Sequence, residues 1–140
     1  MSRIFWDTNL FIYLIEDYED LSERVAQLRK RMIERSDELY TSALTLGEIL
    51  VKPSEAGDEV LCRRYEAALR QAATIIPLDV DAARLYAAIR KDRTIRPPDA
   101  IQLACAAQAR VDLFITNDER LSTKSIPRIQ FLTSLQHAFL

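Results

Sequence analysis

Only two glycines, Gly47 and Gly57, occur among the 140 residues. A phosphate-cradling loop needs several at fixed spacing, so neither a Walker nor a dinucleotide-binding fingerprint can be drawn. The one histidine, His137, lies three residues from the end of the chain. That excludes a multi-histidine zinc site and argues against a histidine-based triad. Two cysteines, Cys62 and Cys105, lack C-x-x-C spacing and fall in separate helical patterns. They read as reduced thiols. No apolar run approaches the about 20 residues of a membrane helix. Asp7 interrupts the only apolar run near the start, against signal-peptide anatomy. A cytoplasmic protein with no membrane partner is the expectation. Net charge is only −2, so no global basic field announces nucleic acid. Positive charge for such a partner must be local or come from metal ions.

What is present is ordinary in bulk: 49% hydrophobic and 29% charged residues, enough for one compact domain over residues 1–140. Short apolar runs alternate with helical periodicity. "RIFWD" (Arg3–Asp7) reads as a buried strand, and "LFIYLI" as a helix opening near Thr8 or Asn9. Leu21, Val25, Leu28 and Met32 mark a helix over Leu21–Arg35. "ELYTS" (Glu38–Ser42) is a strand, and "ALTLGEILVK" a helix stopped by Pro53. A helix over Ala56–Ala73 and a strand over Thr74–Leu78 follow. Asp79 or Asp81 caps the next helix, and Pro97–Pro98 open one that runs to about Arg110. "DLFIT" is a strand, "DERLS" a helical turn, and "RIQFL" a last strand or extended segment. The alternation predicts an α/β fold with a parallel sheet covered on both faces. Ligands bind such sheets at the carboxyl ends of the strands, where Asp7 and Asp118 fall.

Each acid there has a bland reading. Asp7 and Asp118 suit helix caps, and Asp99 after Pro98 suits a first turn. Thr45-Leu46-Gly47-Glu48 matches a capping box. Alternatively that helix starts at Ser42, and Glu48 is interior. Taken together, four carboxylates reach elements that face one edge of the sheet. Held close, they raise one another's pKa. A divalent ion with oxygen ligands, Mg²⁺ or Mn²⁺, relieves that repulsion and supports phosphodiester hydrolysis.

"IFWDTNLFIYLIE", "TSALTLGEILVKP", "RPPDAIQLACA" and "LFITNDERL" resemble, in order, the four acidic blocks of PIN domains, and most of all those of bacterial VapC-type toxins. "P-D-A-I-x-L-A" followed by "T-N-D-x-x-L" is the most telling part. The resemblance covers nearly the whole chain. It implies a three-layer α/β/α sandwich around a mainly parallel sheet, with Asp7, Glu48, Asp99 and Asp118 as catalytic, metal-binding acids. It further implies Ser42 and Thr116 as hydrogen-bond partners behind them, with Asn9 and Asn117 orienting water or ligands. One departure stands out. Relatives often carry His after "PDAI", where this chain has Gln102.

The resemblance thus implies an Mg²⁺- or Mn²⁺-dependent endoribonuclease. Asp7, Asp99 and Asp118 would ligate metal, and Glu48 would ligate directly or through water and help deprotonate the attacking water. Arg93 and Arg96 would hold RNA phosphates. A VapC-type toxin further implies a homodimer and a cognate antitoxin as partners. The competing readings are a non-catalytic PIN-like module binding RNA or protein, and a nuclease acting on DNA.

Overall fold

The computed structural model describes residues 1–138 and 140. The chain runs β1 (Arg3–Trp6), α1 (Thr8–Ile15), α2 (Asp20–Glu34), β2 (Glu38–Ser42), α3 (Ala43–Ile49), α4 (Val51–Glu55), α5 (Glu59–Ala72), β3 (Thr74–Ile76), α6 (Val80–Ile89), α7 (Pro97–Gln108), β4 (Leu113–Thr116), α8 (Glu119–Ser122) and β5 (Phe131–Ser134). A single 3₁₀ turn covers Leu135–His137. The five strands form one sheet in the order β3-β2-β1-β4-β5, and every pairing is parallel.

The central strands β1 and β4 are short and apolar because both of their faces are covered, as the alternation predicts. Side chains alternate across the sheet. Phe5 and Phe114 point to one face, stack at 5.0 Å, and pack with Leu103, Ala104 and Ala107 of α7 and Ile89 of α6. Ile4, Trp6 and Ile115 point to the other face and pack with Leu10, Val25, Met32 and Leu69 from α1, α2 and α5. The result is the expected α/β/α sandwich.

The connection from β1 runs to β2 on one side, while β4 lies on its other side. Strand order therefore reverses between β1 and β4, and a crevice opens at their carboxyl ends. Asp7 follows β1 directly, and Asp118 lies two residues beyond β4.

Four local expectations change. Pro53 does not stop a long helix; α3 ends at Ile49, and Pro53 sits buried in the first turn of the separate α4. A first-turn proline gives up no intrahelical hydrogen bond. The following helix begins at Glu59, after Gly57 turns the chain at φ +68° and Asp58 caps Leu61 N–H at 3.0 Å. β3 stops at Ile76, because Pro77 has no N–H for the ladder. The last strand is displaced from "RIQFL" to Phe131–Ser134, because Arg128 takes φ +73° and the pairing with β4 begins at Phe131.

Candidate functional site

Asp7 is buried at the end of β1. Its Oδ1 accepts from Thr8 N–H at 2.9 Å and from Gln102 Nε2 at 3.2 Å, and its Oδ2 accepts from the Thr116 hydroxyl at 2.8 Å. Burial pushes its pKa above the usual carboxylate range. The three hydrogen bonds oppose that rise, and nearby Glu48 adds to it. The helix-cap reading is therefore true of Asp7. Asp7 caps α1 as a desolvated carboxyl with no cation beside it among the described residues.

Glu48 does not belong to a capping box. Ser42 caps α3, accepting from Thr45 N–H at 3.4 Å, so Glu48 lies inside the helix on its exposed rim. One of its oxygens accepts from the Thr8 hydroxyl at 2.6 Å. Asp99 stands in the first turn of α7, half-buried. Burial raises its pKa first, then the negative charge of Asp7, with Asp118 adding a smaller push and Arg96 and Arg120 opposing. Asp118 caps α8, accepting from the N–H groups of Arg120 and Leu121 at 3.0 and 3.4 Å.

Two adjoining clefts bring these acids together. Asp7, Glu48 and Asp99 line one of about 550 Å³, along with Thr8, Asn9 and Gln102. Asp99 and Asp118 line the next, of about 510 Å³, which has Arg120 and Lys124 on its wall. Asp99 and Arg96 belong to both. Arg96 Nε lies 3.7 Å from Asp99, and Arg120 Nε 3.9 Å from Asp118. These cations are exposed and long-reaching, so they offset the acids weakly.

The remaining predicted residues fall at different depths. Thr116 touches the site directly, donating to Asp7 and accepting from Asp118 N–H at 3.0 Å. Ser42 is buried and reaches the acids only through Gln102, to whose carbonyl it donates. Asn9 is exposed on the cleft wall. Asn117 donates to the Tyr13 hydroxyl at 2.8 Å, tying α1 to the end of β4. Arg93 is exposed and lines neither cleft. Its loop is pinned all the same, because Lys124 donates to Asp92 at 3.0 Å and to Thr94 at 2.7 Å. The Thr94 and Lys124 contacts hold the Asp92 carboxyl down to about 2.

Sequence reasoning overlooked Thr8 and Thr45. Both are buried, and their hydroxyls lie 3.1 Å apart between Gln102 and Glu48. A buried hydroxyl must find a partner. Thr8, directly after a buried acid, was the available signal.

All four acids offer hard oxygen ligands, the class that Mg²⁺ and Mn²⁺ take. Among the described residues, no three acids, histidines or cysteines stand close enough to enclose an ion as they are. The oxygen-only donor set and the raised Asp7 and Asp99 nevertheless fit a divalent cation, which relieves like charge.

Residues 4–126 match the PIN domain, and the chain belongs to that family. Solved structures with the same fold include toxin–antitoxin complexes. A toxin–antitoxin complex from Klebsiella pneumoniae is 25% identical, with a TM-score of 0.65 over 90% of this chain and 94% of that one. FitAcB from Neisseria gonorrhoeae is 23% identical, with a TM-score of 0.74 over 96% and 99%. VapBC2 from Rickettsia felis, bound to a promoter DNA fragment, is 17% identical, with a TM-score of 0.69 over 94% and 98%. No curated protein matches the chain. Among the described residues no helix is long and apolar enough to cross a membrane.

Proposed function

We propose that this PIN domain is a divalent-metal-dependent endoribonuclease and the toxin of a toxin–antitoxin pair. The observation that carries this reading is the delivery of four carboxylates from four separate elements to two joined clefts at the switch point of the sheet. Asp7, Asp99 and Asp118 would hold the ion, with Glu48 ligating directly or through water. Mg²⁺ or Mn²⁺ bound there supplies an activated water and charge stabilisation for phosphodiester hydrolysis.

The chain's own residues do the rest. Thr116, Gln102 and Thr8 N–H fix the plane of the Asp7 carboxylate. Thr8 fixes one oxygen of Glu48 and leaves the other to take a proton from water. Arg96, on the rim of both clefts, faces the incoming phosphates. The likeness to toxin–antitoxin complexes supports a cognate antitoxin as a partner, and the homodimer is what the resemblance to VapC-type toxins implies.

The test is incubation of a mixed RNA pool, and of DNA of matching sequence, with Mg²⁺, Mn²⁺ or EDTA. RNA cut at mapped sites with metal, intact RNA in EDTA and intact DNA are the expected results. Cleavage of DNA in place of RNA overturns the substrate. No cleavage with either metal favours a binding module.

Glu48→Gln separates chemistry from structure. The amide oxygen still accepts from Thr8, and the side chain is exposed, so the melting temperature is expected to stay within about 1–2 °C, the scale of a surface substitution. The cleavage rate is expected to fall by about a hundredfold or more, within the range for loss of a general base. A fully active Glu48→Gln protein sinks that assignment.

A further inference from the structure

We propose that Gln102 is the positioning residue of the acidic site. Its amide locks Asp7 directly and Glu48 through Thr8, and so joins three of the segments that carry the acids. The proposal rests on the nuclease reading for its kinetic consequence but not for its binding consequence.

Gln102 is 2% exposed. It is the one amide among the seven buried residues of α7, whose other buried positions are alanine, leucine and cysteine. It lies three residues after Asp99, so α7 carries both. A side chain needed only for packing would be apolar there. Instead every polar atom of this one has a partner. Its Oε1 accepts from the hydroxyl of Ser42, the cap of α3. Its Nε2 lies 2.8 Å from Thr45 Oγ1, 2.9 Å from Thr8 Oγ1 and 3.2 Å from Asp7 Oδ1. The direction of the amide follows from chemistry, because an ionised carboxylate only accepts, and the N–H end must face Asp7.

The order of donors beyond it is equally constrained. Thr8 has one hydroxyl proton, and its shortest contact is to Glu48 at 2.6 Å. That proton goes to the carboxylate, so the Thr8 oxygen is left to accept from Gln102. A directed chain results, from the Gln102 amide to the Thr8 hydroxyl to Glu48. One amide thereby ties the start of α1, the start of α3 and the body of α7.

A neutral donor has a particular advantage at this place. A lysine or arginine would order Asp7 equally well but would cancel its charge and compete with a cation. An amide orders the carboxylate and leaves the charge of the cleft in place. Burial of Gln102 directs its amide to the acids, not to substrate.

The test uses Gln102→Met, which keeps the volume and removes every hydrogen bond, with Thr8→Val and the double variant. Mn²⁺ affinity is measured by calorimetry on each protein, alongside kcat and KM for RNA and circular dichroism. Loss of a hydrogen-bond partner behind a ligand costs about ten- to a hundredfold in metal affinity or activity. The expected result for Gln102→Met is a drop of that size in Mn²⁺ affinity and in kcat, with KM changed less than about threefold. Because Gln102 and Thr8 act as one chain, the double variant should lose little more kcat than the worse single variant. Thr8→Ser, which keeps the hydroxyl, should restore most of the kcat lost in Thr8→Val.

A folded Gln102→Met protein with wild-type Mn²⁺ affinity and kcat overturns the proposal and leaves the nuclease reading standing. So does strict additivity with Thr8→Val. A wild type that binds Mn²⁺ but cuts neither RNA nor DNA ends the nuclease reading, and a weakened affinity in Gln102→Met still supports the positioning role. A wild type that binds no Mn²⁺ overturns both. Should Gln102→Met fail to fold, Gln102→Asn replaces it. That variant keeps a neutral amide in the pocket but is one methylene shorter, so it gives up the reach from Ser42 to Thr8 and Asp7, and is expected to show the same losses; unchanged affinity in it is equally fatal.

Discussion

Asp99→Asn is expected to yield a folded protein whose RNA cleavage falls by more than about a hundredfold, because loss of a mere outer partner of a ligand already costs about ten- to a hundredfold. An amide oxygen is a weaker ligand than a carboxylate and carries no charge to offer a cation. Asp99 is the acid common to both clefts, so its loss affects the whole site. Stability should move little, because two effects oppose. The charge favours the first turn of α7 by about 0.3–1 kcal/mol through the helix dipole. Burial and the nearness of Asp7 and Asp118 act against it, which is why its pKa is raised. Cleavage rates and circular dichroism of both proteins measured side by side decide the matter. Near wild-type cleavage by a folded Asp99→Asn protein would remove Asp99 from the site.

Elements whose signals are local were legible without coordinates. "ELYTS" is a strand at the predicted bounds, a short run bounded by the end of α2 and by Ser42, which caps α3. Of the two candidate caps of α6, Asp79 is the one, accepting from Ala82 N–H at 2.8 Å, and Asp81 falls in the first turn. The parallel sheet followed from alternation alone. Elements whose bounds are set by tertiary contact were not legible. β5 takes its register from β4, and its sequence alone does not specify that neighbour. The break between α3 and α4 lies at Leu50, where no glycine or proline marks it.

The same division runs through the site. The placement of Asp7 and Asp118 was readable because each follows a strand, and strand ends are where ligands bind α/β sheets. Gln102 was readable only as a departure from a pattern. Its bonds span 57 to 95 residues of sequence, so its partners depend on α7 crossing beneath the ends of β1 and β2. Glu48 illustrates the limit of short motifs. Four residues matched a capping box, yet the cap is Ser42, the alternative start, which leaves Glu48 inside the helix.

Asp7→Asn should melt higher than the wild type in EDTA and respond far less to metal. Burial holds the folded pKa of Asp7 above its ordinary value of 3.8. An acid raised in this way binds its proton more tightly in the folded state. Between 3.8 and the raised value, stability therefore falls as pH rises, and above the raised value the full penalty applies. At a pH above the raised value the metal-free wild type carries that penalty, and Asn does not. The substitution is also well accommodated. Its Oδ1 keeps Thr8 N–H and Gln102, and its Nδ2 can donate to the Thr116 oxygen once that hydroxyl turns. On acidification from neutral pH, the metal-free wild type should recover part of the difference, and the variant should lack that slope. Ligand binding to the folded state alone stabilises by about 2.7 kcal/mol at a hundredfold excess over Kd, roughly 8–10 °C for a chain of this size. Mn²⁺ or Mg²⁺ at millimolar concentration should raise the wild type on that scale and thus reverse the order of the two proteins. A helix cap alone predicts otherwise, since Asn caps nearly as well as Asp and metal would then act alike on both. Equal metal responses, or a wild type more stable than Asp7→Asn in EDTA, would rule out Asp7 as a ligand.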